Sequence, residues 1–180
     1  MKRKNFLTTA LLALPALSFA HPSGVKQKKS SVADAAKKGF IVKPSESRFN
    51  GQQTTPKEAF LHCKISSKDT EGNLFIQTST PNLFKMKGGP PPHVHQYEDE
   101  IIYIVSGEFI VHIEGKDIPV TTGDTVFIPK GTLHTITNPI ENNPGTVMIV
   151  VQPAPKKVED FFYHIGVHGS IPTNIIPDGW

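Results

Sequence analysis

Residues 88–107 read GGPPPHVHQYEDEIIYIVSG, and both the fold and the chemistry turn on this stretch. Side chains two apart on a strand share a face, so His93 and His95 project together while Val94 projects the other way. Glu100 opens the apolar run that follows. Two imidazoles and a nearby carboxylate suit Zn, Mn, Fe, Ni or Cu. A mononuclear site wants at least one ligand more, and His134, on what reads as a later strand, is the candidate. Pro90, Pro91 and Pro92 cannot donate to a sheet ladder, so they mark a stiff strand entry rather than a central strand.

Outward from this stretch the texture is short β-like runs broken by tight turns. Strands are expected at His93–Gln96, Glu100–Val105, Glu108–Glu114, Asp117–Val120, Thr125–Ile128, His134–Asn138 and Thr146–Gln152. Before them, Gly39–Lys43, Phe60–Ser66, Leu74–Thr78 and Leu83–Lys87 read the same way. Such spacing predicts an all-β sandwich or barrel. Phe109, Val111 and Ile113 alternate with Ile110, His112 and Glu114, which places His112 on the outer face, away from the site. Beyond Pro153 the period changes: Val158, Phe161, Phe162 and Ile165 form one apolar helical face, expected to end near Gly166 and to pack on the barrel as a lid or brace. His164 and His168 lie four apart, but Gly166 interrupts them and no further ligand is evident. Inward residues such as Ile102, Ile104, Val126 and Ile128 predict an apolar cavity wall.

The chain has 180 residues, enough for one domain with a real core plus tails. Lys2, Arg3 and Lys4 precede an apolar run from Phe6 to Leu17, and Ser18-Phe19-Ala20 supplies small residues for cleavage, the pattern of a secretory signal peptide. The run is shorter than the roughly 20 residues a spanning helix needs, so no stable membrane anchor is expected. An exported protein, periplasmic or secreted, cleaved near Ala20, is the expectation. Removing that leader removes three of the nineteen basic residues, leaving sixteen against sixteen acidic ones. The mature chain is about neutral and carries no clustered basic footprint for nucleic acid. Cys63 is the single cysteine, which excludes an intramolecular disulfide and reads as a small buried hydrophobe. The expected organisation is a signal peptide at 1–20, a flexible N-terminal arm with a leading strand at 21–54, a barrel at 55–155, and a helix with an irregular tail at 156–180.

These residues resemble the cupin family. The pattern G(X)5PXG(X)2H(X)3N is met without a gap by Gly123, Pro129, Gly131, His134 and Asn138. The companion pattern G(X)5HXH(X)3,4E(X)6G is met by His93, His95, Glu100 and Gly107, with its leading glycine, Gly88, one position late. The wording of residues 88–108, with Phe161-Phe162 after the barrel, is most similar to single-domain cupins labelled quercetinase-like. The resemblance implies a single jelly-roll β-barrel with a short C-terminal helix, and one divalent transition metal ion (Mn, Fe, Ni, Co, Cu or Zn) held by His93, His95, Glu100 and His134. It implies a dioxygenase acting on a flavonol or another enolizable or phenolic small molecule, with dioxygen as co-substrate and Glu100 also accepting the substrate proton. A homodimer is implied as well. Two other readings stand beside it: an exported module that binds a small molecule or metal without catalysis, and a cupin isomerase or decarboxylase. Glu98 and Asp99 flank the ligand as candidate supporting carboxylates, and Asn138 is expected to hydrogen-bond a turn.

Overall fold

The computed structural model describes residues 38–56, 59–81, 83, 87–142, 144–155, 157–168 and 174. The expected signal peptide, the arm before residue 38 and most of the tail lie outside the described residues. Nine strands are present among them: β1 Leu61–Ile65, β2 Phe75–Ser79, β3 His93–Val94, β4 Asp99–Ser106, β5 Glu108–Ile113, β6 Lys116–Thr121, β7 Thr125–Ile128, β8 Leu133–Thr137 and β9 Thr146–Gln152, followed by helix α1 Val158–His168.

All strand pairs are antiparallel and form two sheets, ordered β1-β2-β9-β4-β7 and β3-β8-β5-β6. This is the all-β jelly roll that the strand spacing and the motifs predict. Period-two alternation does the sorting: along β4, Glu100, Ile102 and Ile104 are buried while Ile101, Tyr103 and Val105 are exposed. The inner faces meet in an apolar core of Ile102, Ile104, Phe109, Val111, Val120, Ile128, Ile136 and Val147. A second cluster of Cys63, Phe75 and Val158, with Phe49, Ala154 and Phe162 against it, joins helix α1 to β1 and β2.

Several boundaries differ from expectation. The strand expected at Gly39–Lys43 is irregular chain, and that expected at His93–Gln96 stops at Val94. The three prolines before His93 leave few donors for a longer ladder. Most of the strand expected at Leu83–Lys87 falls outside the described residues. Helix α1 runs through Gly166 to His168, since one glycine weakens a helix without stopping it. Within the expected arm, residues 47–54 pack on β1: Ser47 bridges Thr54, the Arg48 N–H donates to the Cys63 carbonyl at 2.8 Å, and the Cys63 N–H donates to Ser47 Oγ at 3.0 Å.

Candidate metal centre

Pairing between β3 and β8 sets His93 directly opposite His134, and the imidazole centroids stand 4.6 Å apart. His95 follows two residues after His93 and its ring centroid lies 5.1 Å from that of His93. Glu100 comes from the other sheet, where it pairs with Ile128 on one side and Val151 on the other. The four side chains are all buried, and one ligand atom from each lies within 4.8 Å of every other. The parity that joins His93 to His95 is therefore realised, and the fold brings Glu100 and His134 to them. Such a set could hold a metal ion.

Backbone carbonyls orient two of the rings. His93 Nδ1 lies 2.9 Å from the Pro91 carbonyl, and His134 Nδ1 lies 2.9 Å from the Thr132 carbonyl. A carbonyl only accepts, so each Nδ1 carries the proton and each Nε2 keeps a lone pair for a ligand. His95 Nε2 stands 2.9 Å from Glu100 Oε2. His134 Nε2 is buried with no hydrogen-bond partner, its nearest anion being Glu100 Oε2 at 3.8 Å. That distance is longer than a formed hydrogen bond, so the attraction between the pair is mainly one of charge. A buried, unpaired imidazole nitrogen among three other donors is what a cation site leaves behind when the protein atoms are considered alone, and the donor set fits a divalent transition ion.

The electrostatics follow from burial and neighbours. Burial by itself would raise the Glu100 carboxyl, but His134 and His95 beside it outweigh that and hold it at about 2. His93 is brought down to about 4, first by burial and then by the positive charge available at His134. At His134 burial pulls downward, yet the Glu100 carboxylate prevails and the ring is raised above its ordinary value. A protein without metal therefore carries an ionised Glu100 and a neutral His93 at neutral pH, and His134 holds its proton more tightly than an ordinary imidazole. A dication entering the cluster competes with the His134 proton.

The supporting chain explains how the rings stay in place. Gly89 runs so close to β8 that a Cβ there would sit 2.0 Å from the Ile136 carbonyl oxygen, which only glycine permits. This close approach lays the Pro90–Pro92 segment along β8 and delivers His93. The 129–131 turn grips the other ligands: Gly131, at φ +81°, donates to the His95 carbonyl at 2.7 Å, and the Lys130 N–H donates to Asp99 Oδ1 at 2.9 Å. Asp99 is thus a clamp between β4 and that turn, while Glu98 lines the outer cleft. Asn138 does hydrogen-bond a turn, exchanging backbone bonds with Gly88 and accepting from the Ile140 N–H at 3.3 Å. His112 sits on the outer face as expected, bound to Asp117 at 2.6 Å and Thr137 at 2.9 Å. His164 is not among the clustered ligands, and the side chain of His168 lies outside the described residues.

The cluster lines a chamber of about 50 Å³ whose other walls include Gln77, Ile136, Ile149, Val151, Val158 and Phe162. Of the expected wall residues, Ile102, Ile104 and Ile128 belong to the packed core instead, and Val126 packs against it. The walls come from β2, β9 and α1, whose approach to the site no local pattern announces. Glu159 was equally hidden: it is 5 % exposed in α1 and accepts from the Asn50 N–H at 2.6 Å, Ser66 Oγ at 2.7 Å, the Ser67 N–H at 3.0 Å and Ser67 Oγ. It ties the helix bearing Val158 and Phe162 to the turns beside β1. Its only sequence signal is a carboxylate on the first helical turn, which reads as an ordinary dipole partner.

Residues 83–151 match the family model described as Cupin domain. The chain carries a cupin domain. Among curated relatives, an oxalate-binding protein of Thermotoga maritima is 46 % identical over 46 residues, covering 26 % of this chain and 38 % of that protein. An acireductone dioxygenase of Gluconacetobacter diazotrophicus is 38 % identical over 64 residues, 33 % of this chain and 35 % of the relative. A 3-hydroxyanthranilate 3,4-dioxygenase of Shewanella woodyi is 29 % identical over 122 residues, 63 % and 60 % respectively. The match thus spans well under half the length of the first two relatives. The solved structure of KdgF from a Halomonas species aligns with a TM-score of 0.45 at 22 % identity over 56 % of this cupin and 84 % of that chain. The cupin has dioxygenase relatives at low identity, and its three histidines and one glutamate could hold a metal.

Proposed function

We propose that this cupin is a metal-dependent dioxygenase acting on an enolizable or phenolic small molecule, a flavonol among the candidates, with His93, His95, Glu100 and His134 as the metal ligands. The observation that carries this reading is the convergence of those four buried side chains on one point, with His134 Nε2 unpaired. The low-identity dioxygenase relatives support it. A bound divalent transition ion would supply Lewis acidity and open positions for oxygen donors. The chain's own residues do the rest. Glu100 would offset the ion's charge, and it can accept a substrate proton only once its coordination to the ion loosens. Ile149, Val151, Val158 and Phe162 keep water from the reacting oxygen atoms.

The test is to load purified protein with Mn, Fe, Co, Ni or Cu and follow oxygen uptake with flavonols, catechols and enolizable ketones. No uptake with any metal overturns the dioxygenase reading, and full metal retention by both His95→Ala and His134→Ala overturns the ligand assignment. A second reading, an exported binding module, is favoured by the relative named an oxalate-binding protein; stoichiometric ligand binding without oxygen consumption would establish it. We infer export with a mature N-terminus at His21, which N-terminal sequencing of the native protein tests. We infer a homodimer through the outer face of the larger sheet, where Ile101 and its cross-strand partner Phe127 are exposed beside Tyr103 and Val105. A monomer by light scattering would refute it.

A further inference from the structure

Gln77 stands on the inward face of β2, in a row whose cross-strand neighbours are Cys63 on β1 and Ile149 on β9, with Ile102 one strand further on. Every other member of that row is apolar and buried or half-buried. Gln77 is itself only 3 % exposed, lines the metal chamber, and its Oε1 has no hydrogen-bond partner. The contrast with Ser79, the next inward residue on the same strand, is instructive. Ser79 is equally buried, but its Oγ accepts from the Val147 N–H at 2.9 Å. A buried acceptor left unpaired is unfavourable, and a leucine or methionine would fill the same space without that penalty. An amide retained there is paired by something that enters the chamber.

The chamber limits what that can be. At about 50 Å³ it has room for an ion and a few small atoms, far below the ~300–1,000 Å³ of ordinary ligand pockets. At His95 and Val158 it adjoins a cleft of about 520 Å³ that also takes in Tyr97, Glu98 and Pro153–Pro155. A larger molecule therefore inserts only its oxygen-bearing edge and leaves its body in the cleft. Glu100 and Gln77 sit on strands separated by β9 alone and two residues apart in register, roughly 12 Å between backbones, and both reach inward. A compact edge can lie between them.

We propose that Gln77 is the substrate-orienting residue of this site, its Oε1 accepting a hydrogen bond from a free hydroxyl adjacent to the oxygen that the metal ligands' side of the chamber receives. The substrate class is then a molecule with a hydroxylated, oxygen-rich edge, in which the second hydroxyl keeps its proton. The inference rests on the metal-site reading above and adds a specificity determinant to it.

A ligand pair tests it. Catechol has a hydroxyl beside its ligating oxygen, whereas guaiacol carries a methyl ether there and has no proton to donate. Cobalt-loaded protein is titrated with each under nitrogen, following the visible absorption of the ion, in the wild type and in Gln77→Met and Gln77→Leu. The expected result is that wild type prefers catechol and that this preference shrinks about tenfold or more in both variants, while metal stoichiometry and the ligand-free spectrum are unchanged and thermal stability is equal or higher. An unchanged preference in the variants overturns the role of Gln77 and leaves the metal site standing. A changed ligand-free spectrum would make Gln77 a ligand, and a large loss of stability in both variants would make it a structural polar group; either overturns the proposal. Absence of any spectral response to both phenols in wild type overturns the open metal site itself, and this inference with it.

Discussion

Replacing Glu100 with glutamine removes the one negative charge of the cluster while keeping its shape, and the consequence can be worked out for the metal-free protein. Glu100 is 5 % exposed and its carboxyl stands at about 2 in the folded chain against an ordinary 4.5. Its folded value is depressed, so the unfolded chain takes up the proton first as pH falls. The associated stability is fully present above 4.5 and is lost as pH drops toward 2. The shift corresponds to about 3 kcal/mol in total, of which roughly 2 kcal/mol disappears between pH 7 and pH 3. Urea unfolding of chelator-treated protein at pH 7, 5, 4 and 3 reads this directly. Wild type should lose about 2 kcal/mol chiefly between pH 5 and 3, whereas Glu100→Gln, whose His134 is left with burial alone, should begin to lose stability already near pH 6.5. The comparison cancels the acid sensitivity of groups distant from the cluster, because both proteins share them. Parallel stability curves for the two proteins would refute the claim that His95 and His134 hold an ionised carboxylate in the buried cluster.

Three further outcomes are expected. Zinc binding followed by calorimetry should strengthen as pH rises and should release protons near neutrality, because His134, raised by Glu100, must lose its proton to bind; pH-independent affinity between 5.5 and 8 would contradict this. Glu159→Ala orphans the Asn50 and Ser67 N–H donors and should cost about 3 kcal/mol, lowering the melting temperature by roughly 10 °C; scanning calorimetry showing a change below ~2 °C would show that α1 is not held by this carboxylate. Cys63 is fully buried and its thiol is pushed up by burial and by the nearby Glu159 and Asp69 carboxylates, so a thiol reagent should label it only in denaturant; rapid labelling of native protein would argue against the packing of β1 under α1.

Much of the site was legible in residues 88–138 because it depends on short-range rules. Parity on a strand joins His93 to His95, and the turn chemistry of Pro129, Lys130 and Gly131 starts the strand that carries His134. Outward placement of His112 followed from the same alternation. The wall of the chamber was not legible. Gln77, Ile149 and Val151 face the metal ligands because β2 and β9 pair beside β4, a long-range register that no local pattern records. Glu159 is buried because the turns at Asn50 and Ser66–Ser67 close over it, a contact that no local pattern records.

The sequence by itself determined most of the strands, the all-β class and the three histidines and one glutamate as a candidate ligand set, since residue type and spacing act through bonds and local periodicity, while the jelly roll entered through the family resemblance. Only the tertiary structure decided the size of the chamber, the unpaired atoms His134 Nε2 and Gln77 Oε1 within it, and which helix residues, Val158 and Phe162, line it. Those properties arise where chain segments distant in sequence exclude water from one another, and a buried polar atom shows itself as unpaired only once every neighbour is in place.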